Sequence, residues 1–257
     1  MDIVVCVKQV PDSWAEKKLS PTDKTEDRES VDNLMNELDE YAVEEALRLT
    51  AEHGGEVTIL TMGPEKATET IRKALSMGAD KAVHITDPAL HGSCAVQTSE
   101  ALANAIKGLT FDLVILGSES TDARMSVMAS MVAERLGLPQ LSQARKVSVQ
   151  GSTVTIERQT DDGYSVVTAS TPCIVGVVEK INEPRYPSFK GIMAAKKKPM
   201  ETKTAADLGL SDPGLAGSYS QVDDFANRPP RGKGEIVTDE GDGGAKLVGY
   251  LASQKLV

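Results

Sequence analysis

Leu113-Val114-Ile115-Leu116-Gly117-Ser118-Glu119-Ser120-Thr121-Asp122 is an apolar run that ends in glycine and passes into small polar residues. A helical pattern follows over residues 125–136, closed by Gly137. A short apolar run bounded this way reads as a buried strand feeding a helix. The same alternation repeats outward from it. Residues 3–7, 57–62 and 82–85 are further strand candidates. Residues 39–52 place Tyr41, Val43, Ala46, Leu47 and Leu49 among acids, which predicts a helix with a polar outer face, beginning near 36–39. Residues 64–77, with Pro64 suited to a first turn and Gly78 to a stop, and residues 93–107 complete the helices. Strands alternating with helices define an α/β chain with a mostly parallel sheet.

From residue 143 the texture changes. Residues 145–149, 153–158 and 164–169 are β-rich and separated by Gln150-Gly151-Ser152 and Asp161-Asp162-Gly163, which predicts an antiparallel hairpin region. Residues 173–178 are almost wholly apolar between Pro172 and Glu179, and they are expected to rejoin the main sheet. After Lys198 the composition shifts to Gly, Asp, Ser, Thr and Pro, and only residues 244–257 recover a helical period, through Leu247, Val248, Leu251 and Leu256. The expected organisation is a domain over 1–198 and a C-terminal arm over 199–257 that docks on its own body or a partner.

The 257 residues carry 28 Lys+Arg against 38 Asp+Glu, a net charge of −10 that disfavours nucleic acid and anionic membrane as partners. No apolar run approaches the roughly 18 residues of a spanning helix, and Met1-Asp2-Ile3-Val4-Val5-Cys6-Val7 reads as a strand and not a leader. The expected location is cytoplasmic. Cys6, Cys94 and Cys173 stand too far apart in sequence to form a close metal-ligand pair, so reduced thiols and no metal site are expected.

The end of the 113–117 strand is where an open α/β sheet takes its ligands, and a helix start beyond it offers free N–H groups to phosphate. A nucleotide site and a plain strand end followed by a helix cap are equally compatible with this spacing. Neither G-x-G-x-x-G after the first strand nor G-x-x-x-x-G-K-[ST] is present, which removes most support for dehydrogenase and NTPase readings. His53, His84 and His91 adjoin no nucleophile motif, so no catalytic residue is assigned. The acids Glu37, Asp39, Glu40 and Asp122 near helix starts read first as dipole partners.

A second informative stretch runs from Glu179 to Lys198 through Asn182-Glu183-Pro184-Arg185-Tyr186-Pro187-Ser188-Phe189-Lys190. Two prolines stiffen a loop, a short helix follows, and Lys196-Lys197-Lys198 closes it, placed to complement that helix's C-terminal dipole. Ile192 and Met193 read as an inward-packing stripe. Phe189, at the loop tip between Arg185 and Lys190 in a chain with 4% aromatics, reads as an exposed partner anchor with a basic rim.

The start Val5-Cys6-Val7-Lys8-Gln9-Val10-Pro11-Asp12, the segment Ala42-Val43-Glu44-Glu45-Ala46, the run 71–80 and, most specifically, the loop over 182–198 resemble the β subunit of electron transfer flavoproteins, the FixA-type small subunit, over nearly all of the chain. The resemblance implies a doubly wound sheet of the adenine-nucleotide α-hydrolase type. It implies a heterodimer whose α subunit holds the redox-active FAD, while this chain binds a structural AMP and wraps the α subunit with its arm. Such a carrier takes electrons from acyl-CoA and related dehydrogenases to a membrane quinone oxidoreductase and is not itself an enzyme. Carried onto this sequence, the AMP site would comprise Cys6, Asn36, Glu37, Leu38, Asp39, Met62, Gly117, Thr121, Asp122, Ala123, Arg124, Met125, Ser126, Val127 and Met128. The dehydrogenase-recognition segment would comprise Arg185, Tyr186, Phe189, Lys190, Ile192 and Met193. Relatives usually continue Asp122 as D-G-D-T-G-Q, where this chain reads Asp122-Ala123-Arg124-Met125-Ser126-Val127, so two glycines that let backbone approach phosphate are replaced. Arg124 is a candidate phosphate partner or a solvent-facing side chain. The bulk of Arg124 and Met125 favours AMP over the second FAD of a bifurcating-type subunit; an ATP-binding stress-type protein or nucleotide hydrolase is the reading of another class.

Overall fold

The computed structural model describes residues 1–227, 229–234 and 236–257. Two compact units are present, Met1–Asp223 and Asp224–Val257. In chain order the first contains β1 (Ile3–Cys6), β2 (Gln9–Pro11), β3 (Asn33–Met35), α1 (Glu37–His53), β4 (Val57–Met62), α2 (Thr68–Met77), β5 (Lys81–Ile85), α3 (Ala95–Lys107), β6 (Leu113–Gly117) and α4 (Met128–Leu136). It continues with β7 (Gln140–Gln150), β8 (Thr153–Thr160), β9 (Gly163–Ser170), β10 (Cys173–Val177), α5 (Phe189–Ala195) and β11 (Met200–Lys203). The second unit contains α6 (Gly243–Ser253).

Nine strands form one sheet in the order β11-β5-β4-β1-β6-β10-β7-β8-β9. Seven run parallel from β11 to β7, and β7, β8 and β9 are antiparallel. The first strand sits in the middle, with Cys6 opposite Leu60 of β4 on one side and Leu116 of β6 on the other. Because side chains alternate across a strand, β1 feeds two cores. Ile3 and Val5 pack with Val43 and Leu47 of α1, Ile71 and Leu75 of α2, and Ile156 of the hairpin region. Val4 and Cys6 pack with Leu102 and Ile106 of α3 and Val132 of α4. Helices therefore cover both faces, and the winding reverses between β1 and β6, the doubly wound arrangement expected.

Four local expectations are corrected. The helix expected from residue 125 starts at Met128, since Arg124 and Ser126 hold left-handed backbone (φ 50° and 54°) that no helix continues through. The strand expected from 145 begins at Gln140, because its first residues pair parallel with β10 before the hairpins start. Glu44 and Glu45 are buried, where a polar outer face of α1 was expected. The first compact unit extends past residue 198, because Met200–Lys203 pairs with β5 as an edge strand, so the separate unit starts at Asp224 instead of 199. Within that unit Asp242 pairs with Lys246 at 2.8 Å one helical turn on, and Leu247, Val248 and Tyr250 of α6 are exposed. No helix among the described residues is long and apolar enough to cross a membrane.

Candidate functional site

The reversal point gathers the end of β1, the end of β6, the end of β4 and the first turn of α1. Close packing at Gly117 makes this possible. A Cβ there would stand 2.5 Å from Oδ1 of Asp39 and 2.8 Å from Cβ of Leu38, so only glycine lets α1 start against β6. Asn36, Asp39 and Cys6 are buried here; Glu37 is exposed, while Leu38 and Met62 are half-buried. Asn36 donates from Nδ2 to the Glu119 carbonyl (2.9 Å) and accepts the Thr121 N–H (3.1 Å), stitching the loop after β6 to the helix start. Its side chain is spent on the protein.

Asp39 accepts the Lys8 N–H at 2.8 Å. Burial pushes its carboxyl up to about 7, opposed by hydrogen bonds from Lys8, Asn36 and Gly117 and by the Lys8 charge. The Cys6 thiol is raised well above its ordinary range, by burial first and the neighbouring Asp39 second. Asp122 behaves oppositely. Burial works to raise it, but the Lys8 ammonium (2.8 Å), with hydrogen bonds from Ser120 and Arg28, holds the carboxyl below the usual carboxylate range. Arg28 also pairs with Glu26 at 2.8 Å. Asp122, with its side chain only 1% exposed, is thus a knot between the loop after β6 and the excursion joining β2 to β3. Sequence reading missed Lys8 and Arg28, whose partner lies about a hundred residues away.

Beyond Asp122 the loop opens. Ala123, Arg124, Met125 and Ser126 are exposed, Thr121, Val127 and Met128 half-buried. Ser126 Oγ donates to Glu119 at 3.0 Å. Among the described residues no hydrogen bond engages the N–H groups of Ala123, Met125, Ser126 and Val127. Left-handed residues two apart, with free donors around them, form the kind of backbone concavity that takes an anion. The backbone keeps positive φ at Ser126 although a glycine is absent there. Arg124 and Met125 are exposed. The buried Thr61 hydroxyl, beside Met62 at the end of β4, also has no partner among the described residues. Free donors at the loop and a helix start fit a nucleotide's phosphate. No group of three or more His, Cys, Asp or Glu positioned to hold a metal occurs among the described residues.

The second stretch of interest is anchored against α1 and α2. Asn182 donates to the Tyr41 carbonyl (3.1 Å) and to Glu45 (3.0 Å). Arg185, expected as a partner-facing rim, is exposed and also forms a two-pronged pair with buried Glu44 at 2.7 and 2.8 Å. Ser188 caps α5 by accepting the Gly191 N–H at 3.0 Å, and Gly191 itself lies so close to the Ser76 carbonyl that a Cβ would collide. Arg72 donates to the Ala195 carbonyl. Lys198 donates to the carbonyls of Leu75, Gly78 and Ala79 at 2.6–3.2 Å, closing the C-terminus of α2 where the lysines were expected to serve α5. The tip is bare: Tyr186 is 96% and Phe189 81% exposed, and Lys190 is exposed. Ile192 and Met193, expected to pack inward, are 46% and 50% exposed, because only Ala195 of that helix reaches the core.

The fold and site define a doubly wound α/β protein with a donor-rich crevice at its reversal point and a braced, apolar-tipped loop. The chain belongs to the electron transfer flavoprotein family: the family model described as the electron transfer flavoprotein domain matches residues 25–208. The electron transfer flavoprotein subunit beta of Mycobacterium leprae is 51% identical over 264 residues, covering 100% of this chain and 99% of the relative. That of Megasphaera elsdenii is 36% identical over 271 residues, covering 100% of each. A subunit of the caffeyl-CoA reductase-Etf complex of Acetobacterium woodii, CarD, is 38% identical over 242 residues, covering 93% of this chain and 92% of the relative. The first two of these relatives are named as electron transfer flavoprotein subunits.

Proposed function

We propose that this chain is the β subunit of a heterodimeric electron transfer flavoprotein that takes electrons from dehydrogenases, acyl-CoA dehydrogenases among them, to a membrane quinone oxidoreductase. The observation that carries the reading is end-to-end identity of 51% to a protein bearing that subunit's name. FAD, held mainly by the α subunit, supplies the redox chemistry. This chain contributes a bound AMP and the docking loop. Its own residues divide the work. The free N–H groups of Ala123, Met125, Ser126 and Val127 and the first turn of α1 meet the phosphate, Met62 and Cys6 lie toward the adenosine, and Asn36 and Asp122 hold the loop in place. Phe189, with Tyr186, Ile192 and Met193, forms the face offered to dehydrogenases, and the unit from Asp224 onward docks on the α subunit. The location that suits this role is cytoplasmic.

A second reading, a bifurcating-type subunit with FAD in place of AMP, is favoured by one observation: the 38% likeness to a caffeyl-CoA reductase-Etf subunit. Extraction of nucleotides from the purified heterodimer separates the two. One FAD and one AMP per heterodimer, with isolated β chain colourless, is expected. Two FAD per heterodimer, or stoichiometric FAD kept by isolated β, would establish the second reading. Ser126→Trp, which fills the mouth of the concavity, should lower AMP content; unchanged content would move the site elsewhere.

A further inference from the structure

The two segments most typical of this chain, Ala42-Val43-Glu44-Glu45-Ala46 and Asn182 to Ser188, face each other in the fold. Glu44 is 6% exposed, yet its one partner among the described residues is Arg185. Both guanidinium contacts (2.7 and 2.8 Å) and the Arg185 backbone N–H (3.1 Å) end on its two oxygens. A buried carboxylate devoted wholly to one arginine is costly to install and strongly directional once installed. Arg185 lies four residues before Phe189, Pro187 stiffens the link between them, and Pro184 stiffens the approach to Arg185. Downstream, Arg72 and Lys198 hold the other end of the segment on α2. The loop is therefore fixed at both ends while its apolar tip stays in solvent.

We propose that Glu44 is the positioning residue of the docking loop: by gripping Arg185 it sets the angle at which Phe189 meets a partner dehydrogenase. The proposal rests on the reading of this loop as the dehydrogenase-docking segment. Without the grip, Asn182 alone steadies the upstream end and the proline-stiffened segment swings as one piece. Docking then draws on the fraction of molecules whose loop is in place. If that fraction falls to about a tenth, the concentration needed for docking rises about tenfold while the chemistry after docking is unchanged.

The test uses the α/β heterodimer and a purified acyl-CoA dehydrogenase that reduces the wild-type complex in the presence of its acyl-CoA. Glu44→Ala, Glu44→Gln, Phe189→Ala and the double variant Glu44→Ala/Phe189→Ala are compared for KM of the heterodimer, kcat, FAD content and reduction by dithionite. Glu44→Ala should raise KM about tenfold with kcat within about twofold, and dithionite reduction and FAD content should match wild type. Glu44→Gln, which keeps an acceptor but loses the charge, should fall between, and it carries the test if the alanine variant does not fold. In the double variant the Glu44 effect should shrink, because a grip that aims Phe189 is worth little once Phe189 is gone. Effects that multiply, a fall in kcat with KM unchanged, or wild-type KM in both Glu44 variants overturns the proposal. If Phe189→Ala also leaves KM unchanged, the docking reading of the loop fails with it; if Phe189→Ala raises KM and the Glu44 variants do not, only the positioning role fails.

Discussion

Phe189 and Asp39 show how one side chain can be exposed or buried to purpose. Phe189 leaves most of its ring in water at the tip of a braced loop. Truncation to Ala should cost about 2 kcal/mol of docking, on the order of thirtyfold in affinity for a dehydrogenase. Because the ring supports no core, the melting temperature should hold; a fall would mean that the ring packs inward after all. Asp39 is the reverse case. Its carboxyl keeps its proton to about pH 7 in the folded chain, whereas an unfolded aspartate releases it near pH 4. Between those values the folded state binds more protons, so this residue's contribution makes stability fall as pH rises from about 4 to about 7 and level off above. Asp39→Asn removes that slope. Melting curves of the two proteins from about pH 5.5 to 7.5 should diverge, the wild type losing ground as pH rises; parallel curves would show that Asp39 is ionised in the fold throughout. Arg185 marks the limit of reading residues locally, since its partner on α1 is 141 positions away and no spacing rule connects them.

Among elements, the apolar strands were the legible ones. β1 and β10 are buried end to end, β6 all but its terminal Gly117, and they announce themselves as apolar runs. β11, reading Met200-Glu201-Thr202-Lys203, is a charged edge strand in which only Met200 packs against the core, so nothing in its pattern separates it from the linker around it. The acids of α1 misled for a related reason: helical periodicity assigns Glu to the outside, and only the loop lying over them makes burial tolerable. In the crevice, Gly117 and the helix start were legible, while the left-handed backbone at Arg124 and Ser126 was not, since neither residue type favours it. Gly117 gives the element-scale test. Gly117→Ala forces a methyl group into Asp39 and Leu38, and separating α1 from β6 should cost roughly 1–3 kcal/mol with loss of bound nucleotide. Unchanged stability and nucleotide content in the heterodimer would show that the two elements have room to part.

At the scale of the whole molecule, the unit Met1–Asp223 owns both cores, and the unit from Asp224 holds one short helix with Leu247, Val248 and Tyr250 uncovered. Deleting residues 224–257 should leave thermal unfolding of the remainder near that of the isolated chain and weaken assembly with the α subunit; analytical ultracentrifugation of the mixed subunits measures it, and undiminished assembly would count against the arm. Helix α1 joins the two working regions. Its first turn stands at the crevice, through Asn36 and Asp39, and its third holds the loop over 182–188, proposed above to dock dehydrogenases, through Glu44 and Glu45. At about 1.5 Å per residue, about 12 Å of stiff rod separates Asn36 from Glu44. Were the helix to tilt as one piece, a ligand in the crevice and a partner on the loop would be linked through it. Thermodynamic reciprocity then fixes the exchange between them: whatever factor a crevice ligand adds to the affinity for a dehydrogenase, the dehydrogenase returns in full to that ligand.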